Sequence, residues 1–200
     1  MRFHLPVILS VIALFASPAM AGDPAAGKSK SGLCVACHGT DGNSANPDWP
    51  KLAGQHADYI VKQTMAIKNG VGRQNALMAP MVAALSDSDA ADIAAYFSSQ
   101  TTTHAEAVPE NFATIGQALY RGGDAARGIP ACMACHGPAG RGNGPANFPA
   151  LTGQHAKYTA LQLRAYRDGT RTTGPMMLGI AAKLTDTEID ALAAYLNALH

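Results

Sequence analysis

All four cysteines of the 200-residue chain sit in one kind of motif, Cys34-Val-Ala-Cys37-His38-Gly39 and Cys132-Met-Ala-Cys135-His136-Gly137. Thiols three residues apart on a helix lie one turn apart on the same face, and here an imidazole follows at once. That spacing suits a haem: the thiols add to its two vinyl groups while the histidine coordinates its iron. Three other chemistries use similar residues. A redox dithiol wants a strand before the motif and a helix after it, whereas here a helical segment precedes and a glycine-rich loop follows. A zinc site built from both cysteine pairs must span 98 residues and leaves both histidines unused. A disulfide within Cys-x-x-Cys closes too short a loop to add much stability. The haem reading alone uses every residue of the motif, twice over.

The motif belongs to a longer internal repeat. At an offset of 99 residues Pro50 matches Pro149, Gly54-Gln55-His56 matches Gly153-Gln154-His155, Tyr59 matches Tyr158, Gln63 matches Gln162, and Leu85 matches Leu184. The same offset selects the second axial ligand. Met78 falls on Met177, whereas Met65 falls on Arg164, Met81 on Ile180, and Met176 on Leu77. Each matched methionine stands seven residues before the leucine that leads into the last helix, in a Pro-containing loop with Pro80 after one and Pro175 before the other. A single methionine is usually core filler; a matched pair at this place reads as thioether ligands. The carbonyls of Pro50 and Pro149 are candidates to hold the Nδ1 protons of His38 and His136, although a proline at a rigid loop corner explains them equally. His56 and His155 read as residues at helix starts, and Tyr59 with Gln63 and Tyr158 with Gln162 as core contacts with a polar tip.

Helical spacing supplies the elements that must position these groups. Segments 24–31 and 111–121 precede the cysteine motifs, 57–69 and 156–168 follow them, and the last helices begin at Ser86-x-x-Asp89 and Thr185-x-x-Glu188. Ile93, Tyr96 and Phe97 make one buried face, Leu192, Tyr195 and Leu196 the other. No alternating strand pattern competes. The chain reads as all-α, with a first domain at 22–100, a polar linker at 101–110 and a second domain at 111–200. Each domain is a few helices wrapped around a covalent haem, with a loop of about a dozen residues after the motif, a length that suggests wrapping. Aromatic residues make up only 6% of the chain, so something besides aromatic side chains must fill the interior.

Residues 1–21 read as a cleaved secretory signal: Arg2, an apolar run from Leu5 to Ala16, and small residues at Ala19 and Ala21 before Gly22. In a bacterium this sends the chain to the periplasm. With 15 basic against 14 acidic residues, composition argues against bulk nucleic-acid binding. The first half carries two excess acids and the second two excess bases, a mild dipole.

Over essentially the whole mature chain the sequence resembles the dihaem cytochrome c4 family. The resemblance rests on the paired motifs, Pro50-Lys-Leu-Ala-Gly-Gln55, Asp92-Ile-Ala-Ala-Tyr-Phe97, Arg121-Gly-Gly123, Gly153-Gln-His155 and Ala181-Ala-Lys-Leu184. It implies tandem class I cytochrome c domains related by a pseudo-twofold axis, with two covalently bound haem c groups close at the interface. Cys34, Cys37, Cys132 and Cys135 are then the attachment sites, and His38, Met78, His136 and Met177 the iron ligands. The implied protein is a monomeric periplasmic carrier taking electrons from a membrane quinol-oxidising complex toward a terminal oxidase, with peripheral membrane association left open. Nine or so residues between Arg121 and Pro130 have no counterpart in the first copy, and family members show a similar insertion. A dihaem peroxidase or sulfur-compound oxidoreductase would need an open coordination site, and neither methionine loop offers a nearby acid or base. A haem subunit dedicated to a dehydrogenase is the third reading. If the repeat has identified the ligands, Met78→Ala and Met177→Ala each make one haem bind carbon monoxide, whereas Met81→Ala leaves both closed; the reduced spectrum under carbon monoxide checks this.

Overall fold

The computed structural model describes residues 22–105 and 109–200; the expected leader at 1–21 and part of the linker lie outside the described residues. Ten helices form there, and the only strand-like pairings among the described residues are three isolated bridges. The first half holds α1 (Pro24–Lys30), α2 (Gly32–His38), α3 (Ala57–Lys68), α4 (Met78–Val82) and α5 (Asp87–Ser98). The second repeats the order as α6 (Glu110–Gly122), α7 (Met133–His136), α8 (Ala156–Arg167), α9 (Pro175–Ala181) and α10 (Asp186–Ala198).

Local chemistry starts these helices where the sequence marks them. The Asp23 carboxylate accepts from the Ala25 amide at the head of α1, with Pro24 as first helical residue. Ser86 with Asp89, and Thr185 with Glu188, form reciprocal capping boxes on α5 and α10. Those two helices carry the cores: Ile93, Ala94, Tyr96 and Phe97 pack with Ile60, while Ile189, Leu192 and Leu196 pack with Leu119, Tyr120 and Ile129. Cys34 and Cys132 each border one of these clusters, so the first thiol of each motif is held at the edge of the apolar interior.

The terminal helices cross closely because a glycine sits at each crossing. A Cβ on Gly27 of α1 would lie 1.9 Å from the Asp92 carbonyl oxygen, and one on Gly116 of α6 2.3 Å from the Ala191 carbonyl oxygen. After each motif the chain loops back on itself. The Gly42 carbonyl accepts from Leu52 and Ala53 at 2.7 and 3.2 Å, and the Gly140 carbonyl accepts from Leu151 and Thr152 at 2.7 and 3.1 Å. These loops are pinned from the core by the Tyr96 hydroxyl donating to the Thr40 carbonyl and the Tyr120 hydroxyl donating to the Gly137 carbonyl. The repeat partner of Tyr96, Tyr195, instead accepts a hydrogen bond from Arg121, so the second half reaches the same restraint from a different helix.

The extra residues of the second half form a clip. Asp124 and Ile129 bridge, Arg127 pairs with Asp124 and Glu188, and the Lys183 ammonium donates to the Gly128 carbonyl, tying the segment to the start of α10. One expectation needs correcting. Met78 and Met177 stand in short helices rather than loops, because Asn75 accepts from the amides of Leu77 and Met78 while Pro175 opens α9 at a position that needs no donor. Within the expected linker, residues 101–105 are strapped down: Thr102 donates to the Ala53 carbonyl, Thr103 to Asn43, and Ala105 to the Asn197 carbonyl. Gly116→Ala forces α6 off α10 and should cost about 1–3 kcal/mol, the usual penalty of overpacking, measured by urea unfolding of the holoprotein.

Candidate functional site

Each cysteine motif occupies the end of one short helix. In α2, Cys34 is half-buried, Cys37 exposed and His38 only 5% exposed; around α7, Cys132 is half-buried, Cys135 exposed and His136 7% exposed. The His38 Nδ1 lies 2.8 Å from the Pro50 carbonyl oxygen and the His136 Nδ1 2.9 Å from that of Pro149. A carbonyl can only accept, so Nδ1 carries the proton and Nε2 keeps its lone pair for a metal. The carbonyl role anticipated for both prolines is therefore present. Burial holds both imidazoles below the usual histidine range, against the opposing pull of the proline carbonyls. They stay neutral, the form that ligates.

The inner thiol of each motif lies against the apolar interior. Burial pushes Cys34 up and Cys132 up to about 11, which keeps the inner sulfur of each motif protonated. A redox-active Cys-x-x-Cys depresses its thiol instead. No disulfide joins the cysteines of either motif. Among the described residues no three His, Cys, Asp or Glu side chains gather as a metal-holding cluster, so the zinc reading gains nothing here. Neutral buried imidazoles with one nitrogen engaged, and paired sulfurs on one helical turn, fit haem c. Met78 and Met177 are half-buried, while their rivals Met81 and Met176 are 48% and 61% exposed.

Between the two halves runs a seam of hydrogen bonds with approximate twofold symmetry. Gln55 donates to the Ala150 carbonyl and accepts from its amide, and Gln154 does the same with Lys51, all four bonds at 2.9 Å. The Nε2 of His56 bonds the Arg141 carbonyl at 2.9 Å and that of His155 the Ser44 carbonyl at 2.8 Å. Arg73 donates to Tyr158, Arg171 donates to Tyr59, and the Thr172 amide donates to the Gly72 carbonyl. The tyrosine and glutamine pairs expected as contacts within each core thus serve the seam. The tips of Tyr59, Gln63 and Tyr158 reach the opposite half, which a single-domain reading of helix faces cannot foresee, while Gln162 accepts from Arg171 of its own half. Sequence reasoning does not single out Lys51, Arg73 or Arg171, and meets Gln55 and Gln154 only as members of the repeat. The available signal is that these polar residues, or neighbours in register with them, recur in both copies without a place in either core. The seam also meets the haem sites, since Lys51 follows the proline whose carbonyl holds His38.

Fold and motifs together define a c-type cytochrome of two tandem domains. The cytochrome c family model matches residues 25–101 and 113–200. The chain is 50% identical over 183 residues to cytochrome c4 of Pseudomonas aeruginosa, covering 90% of each sequence. It superposes on the crystal structure of reduced recombinant cytochrome c4 from Pseudomonas stutzeri with a TM-score of 0.86 at 48% identity, over 90% of this chain and 100% of the other. A more distant relative, the thiosulfate dehydrogenase electron acceptor of Stutzerimonas stutzeri, is 41% identical over 167 residues, 81% of this chain and 76% of its own length. The chain belongs to the cytochrome c4 family. It carries two covalent haem c groups and is an electron carrier, not an enzyme.

Gln154→Ala removes both partners of the Lys51 peptide, which is 8% exposed. Leaving those groups unpaired in the seam should cost about 1–3 kcal/mol, read as a lower unfolding midpoint with both haems retained.

Proposed function

We propose that this protein passes electrons one at a time through two His/Met-ligated haems in the periplasm, from a membrane quinol-oxidising complex toward a terminal oxidase. Thioether bonds run from Cys34 and Cys37 to the first haem and from Cys132 and Cys135 to the second. His38 with Met78, and His136 with Met177, close the two coordination spheres. Each haem, when bound, supplies a one-electron iron couple, which methionine ligation poises above a bis-histidine site. The chain's own part is to hold and shield. Pro50 and Pro149 lock the ligating tautomer, Tyr96 and Tyr120 pin the loops that follow the cysteines, and the seam keeps the two domains in one arrangement.

The observation that carries this reading is the matched set in both halves: a buried, neutral histidine with Nδ1 engaged, and a half-buried methionine at the same place in the repeat. The leader expected at residues 1–21 supports the periplasm, as haem attachment to such motifs requires an exported chain. The near-neutral composition fits a carrier that meets protein partners rather than nucleic acid, and the chain is taken to work as a monomer that associates with a membrane at most peripherally.

A second donor is favoured by one comparison. The 41% identity to a thiosulfate dehydrogenase electron acceptor points to a sulfur-compound dehydrogenase as an alternative source of electrons, with this chain as its acceptor or dedicated haem partner. Optical spectra of the matured holoprotein, with haem counted per chain, test the central claim. Two haems, the weak red band of methionine-bound ferric iron, and no change under carbon monoxide are expected. A haem that binds carbon monoxide in the unsubstituted protein shows an open site and redirects the search to a substrate. Stopped-flow reduction by a quinol-oxidising complex and by a thiosulfate dehydrogenase then separates the two donors.

A further inference from the structure

The chain holds seven histidines. His38 and His136 are the proposed iron ligands, His56 and His155 bond carbonyls across the seam, and His4 falls in the expected leader. That leaves His104 and His200. One sits in the strapped segment 101–105 and the other just past α10, yet their ring centres are 6.1 Å apart with an interplanar angle of 65°. Main-chain bonds bring them together. The Ala105 amide donates to the Asn197 carbonyl at 3.1 Å and the Gly153 amide to the Leu196 carbonyl at 3.0 Å, so two segments close on the last turn of α10. The His104 ring lies against Gly153, where a Cβ would come within 2.9 Å of its Cδ2.

Hydrogen bonds fix which nitrogen of each ring is open. The single hydroxyl proton of Thr152 goes to the Leu199 carbonyl, so the Thr152 oxygen accepts from the His104 Nε2 at 3.0 Å. His104 therefore keeps its lone pair on Nδ1. The His200 Nδ1 lies 2.8 Å from the Ala198 carbonyl oxygen, which can only accept, and its lone pair stays on Nε2. Each imidazole thus has one nitrogen engaged by a protein oxygen and the other open, the arrangement that orients a histidine toward a metal. Burial holds His104 below the usual histidine range, with His200, Lys51 and Arg141 adding to the effect, so at neutral pH it is a ligand rather than a cation. Both side chains are exposed, and an ion can reach them from solvent.

Two imidazoles that share one ion stand about 5–6.5 Å apart, centre to centre, given metal–nitrogen bonds of about 2.0–2.1 Å. The observed separation falls inside that window. Charge near the pair acts in both directions. Lys51 and Arg141 repel a cation, although the Lys51 ammonium is turned to the Thr103 carbonyl at 2.6 Å. Against them, α10 ends here, and the last carbonyls of this 13-residue helix carry the negative end of its dipole. The Ala198 and Leu199 carbonyls each keep a second lone pair beyond the bond they accept. An ion at this place must gain more from nitrogen than it loses to the two neighbouring charges, which selects the metal at the top of the affinity order for imidazole, Cu2+. Two side chains are too few for a closed zinc tetrahedron, whereas a tetragonal set of nitrogen and oxygen donors is the geometry copper takes.

We propose that His104 and His200 form a Cu2+ site, in which the His104 Nδ1 and the His200 Nε2 bind the ion and main-chain oxygen at the end of α10, with water, completes its coordination. The site lies apart from both cysteine motifs and from the methionines. A bound ion clips the linker to the second domain, and because it binds the folded chain alone it stabilises that arrangement by mass action.

Titration of the oxidised holoprotein with Cu2+, followed by calorimetry and electron paramagnetic resonance, tests this in the unsubstituted protein, His104→Gln, His200→Gln and the double variant. Glutamine at 104 can still donate to Thr152, so that bond is not what the comparison reads. The expected result is one ion per chain with hyperfine splitting from two nitrogens, binding at least tenfold weaker in each single variant, and a copper-dependent rise in the unfolding midpoint that the double variant lacks. Equal affinity in the unsubstituted protein and the double variant would overturn the proposal and place the ion elsewhere. Splitting from one nitrogen, or a loss confined to one single variant, overturns the pairing and leaves a lone surface histidine. Should a variant fail to accumulate, paramagnetic broadening of the His104 and His200 ring signals in the unsubstituted protein decides the matter: both broaden at one equivalent of Cu2+, or the site is not there.

Discussion

Interior volume is the constraint on which the rest of this structure depends. The largest fully buried side chains are Tyr120, Phe97, Ile189 and Ser31, a meagre inventory for two domains. Domains of about 90 residues sit toward the lower end of the size at which burial alone can hold a fold. Here the helices are short, the loops after the motifs are long, and the packed clusters lie beside the cysteine motifs rather than around them. The covalent haem supplies the missing apolar mass, so prosthetic group and core are the same object. Attachment through two sulfurs also makes that core impossible to lose by simple dissociation.

Once the interior is a haem, the chain's remaining task is orientation. A histidine bound to iron is useful only if its ring is fixed, and a backbone carbonyl from a proline is a rigid way to fix it, because the ring that constrains proline's φ also constrains its neighbourhood. Both halves use that device, at 2.8 and 2.9 Å. Both also anchor the following loop with a tyrosine hydroxyl, but the second half recruits Tyr120 from α6 where the first uses Tyr96 from α5. The duplicated domains therefore share a restraint without sharing the residue that imposes it. The clip at Asp124, Arg127 and Gly128 further distinguishes them, adding polar cover beside the second motif only.

The seam holds two small domains in one arrangement. Its glutamine side chains bond the opposite half's backbone in mirrored fashion, its histidines do the same, and its tyrosines accept from the opposite half's arginines. Side-chain amides satisfying a neighbour's peptide groups are specific in register, since any sliding leaves buried donors and acceptors unpaired. Domain docking is therefore directional in a way that a greasy patch is not. That rigidity suits a carrier, for which a fixed distance and orientation between two irons matter more than motion.

Much of this architecture is legible in the order of the residues alone. Helices 57–68 and 156–167, the capping boxes that start α5 and α10, and the buried faces at Ile93 and Phe97 and at Leu192 and Leu196 follow from periodicity and capping, whereas the sequence leaves the two proline carbonyls level with a loop-corner role and the structure decides for the carbonyls. The matched offset singles out Met78 and Met177, and the greater exposure of Met81 and Met176 agrees with that choice. The short helices carrying those methionines escape a reading of the sequence, because five or seven residues started by Asn75 or Pro175 leave too little pattern to see. The seam escapes it for a deeper reason. Tyr59 and Gln63 look like residues of a helix face whichever domain they touch, and nothing local states that Arg171 is buried against them. Sequence by itself determined the cofactor chemistry and the duplication, since both are written in covalent spacing. Only the tertiary structure decided which polar residues meet across the boundary, because that depends on the relative placement of two folded surfaces far apart along the chain.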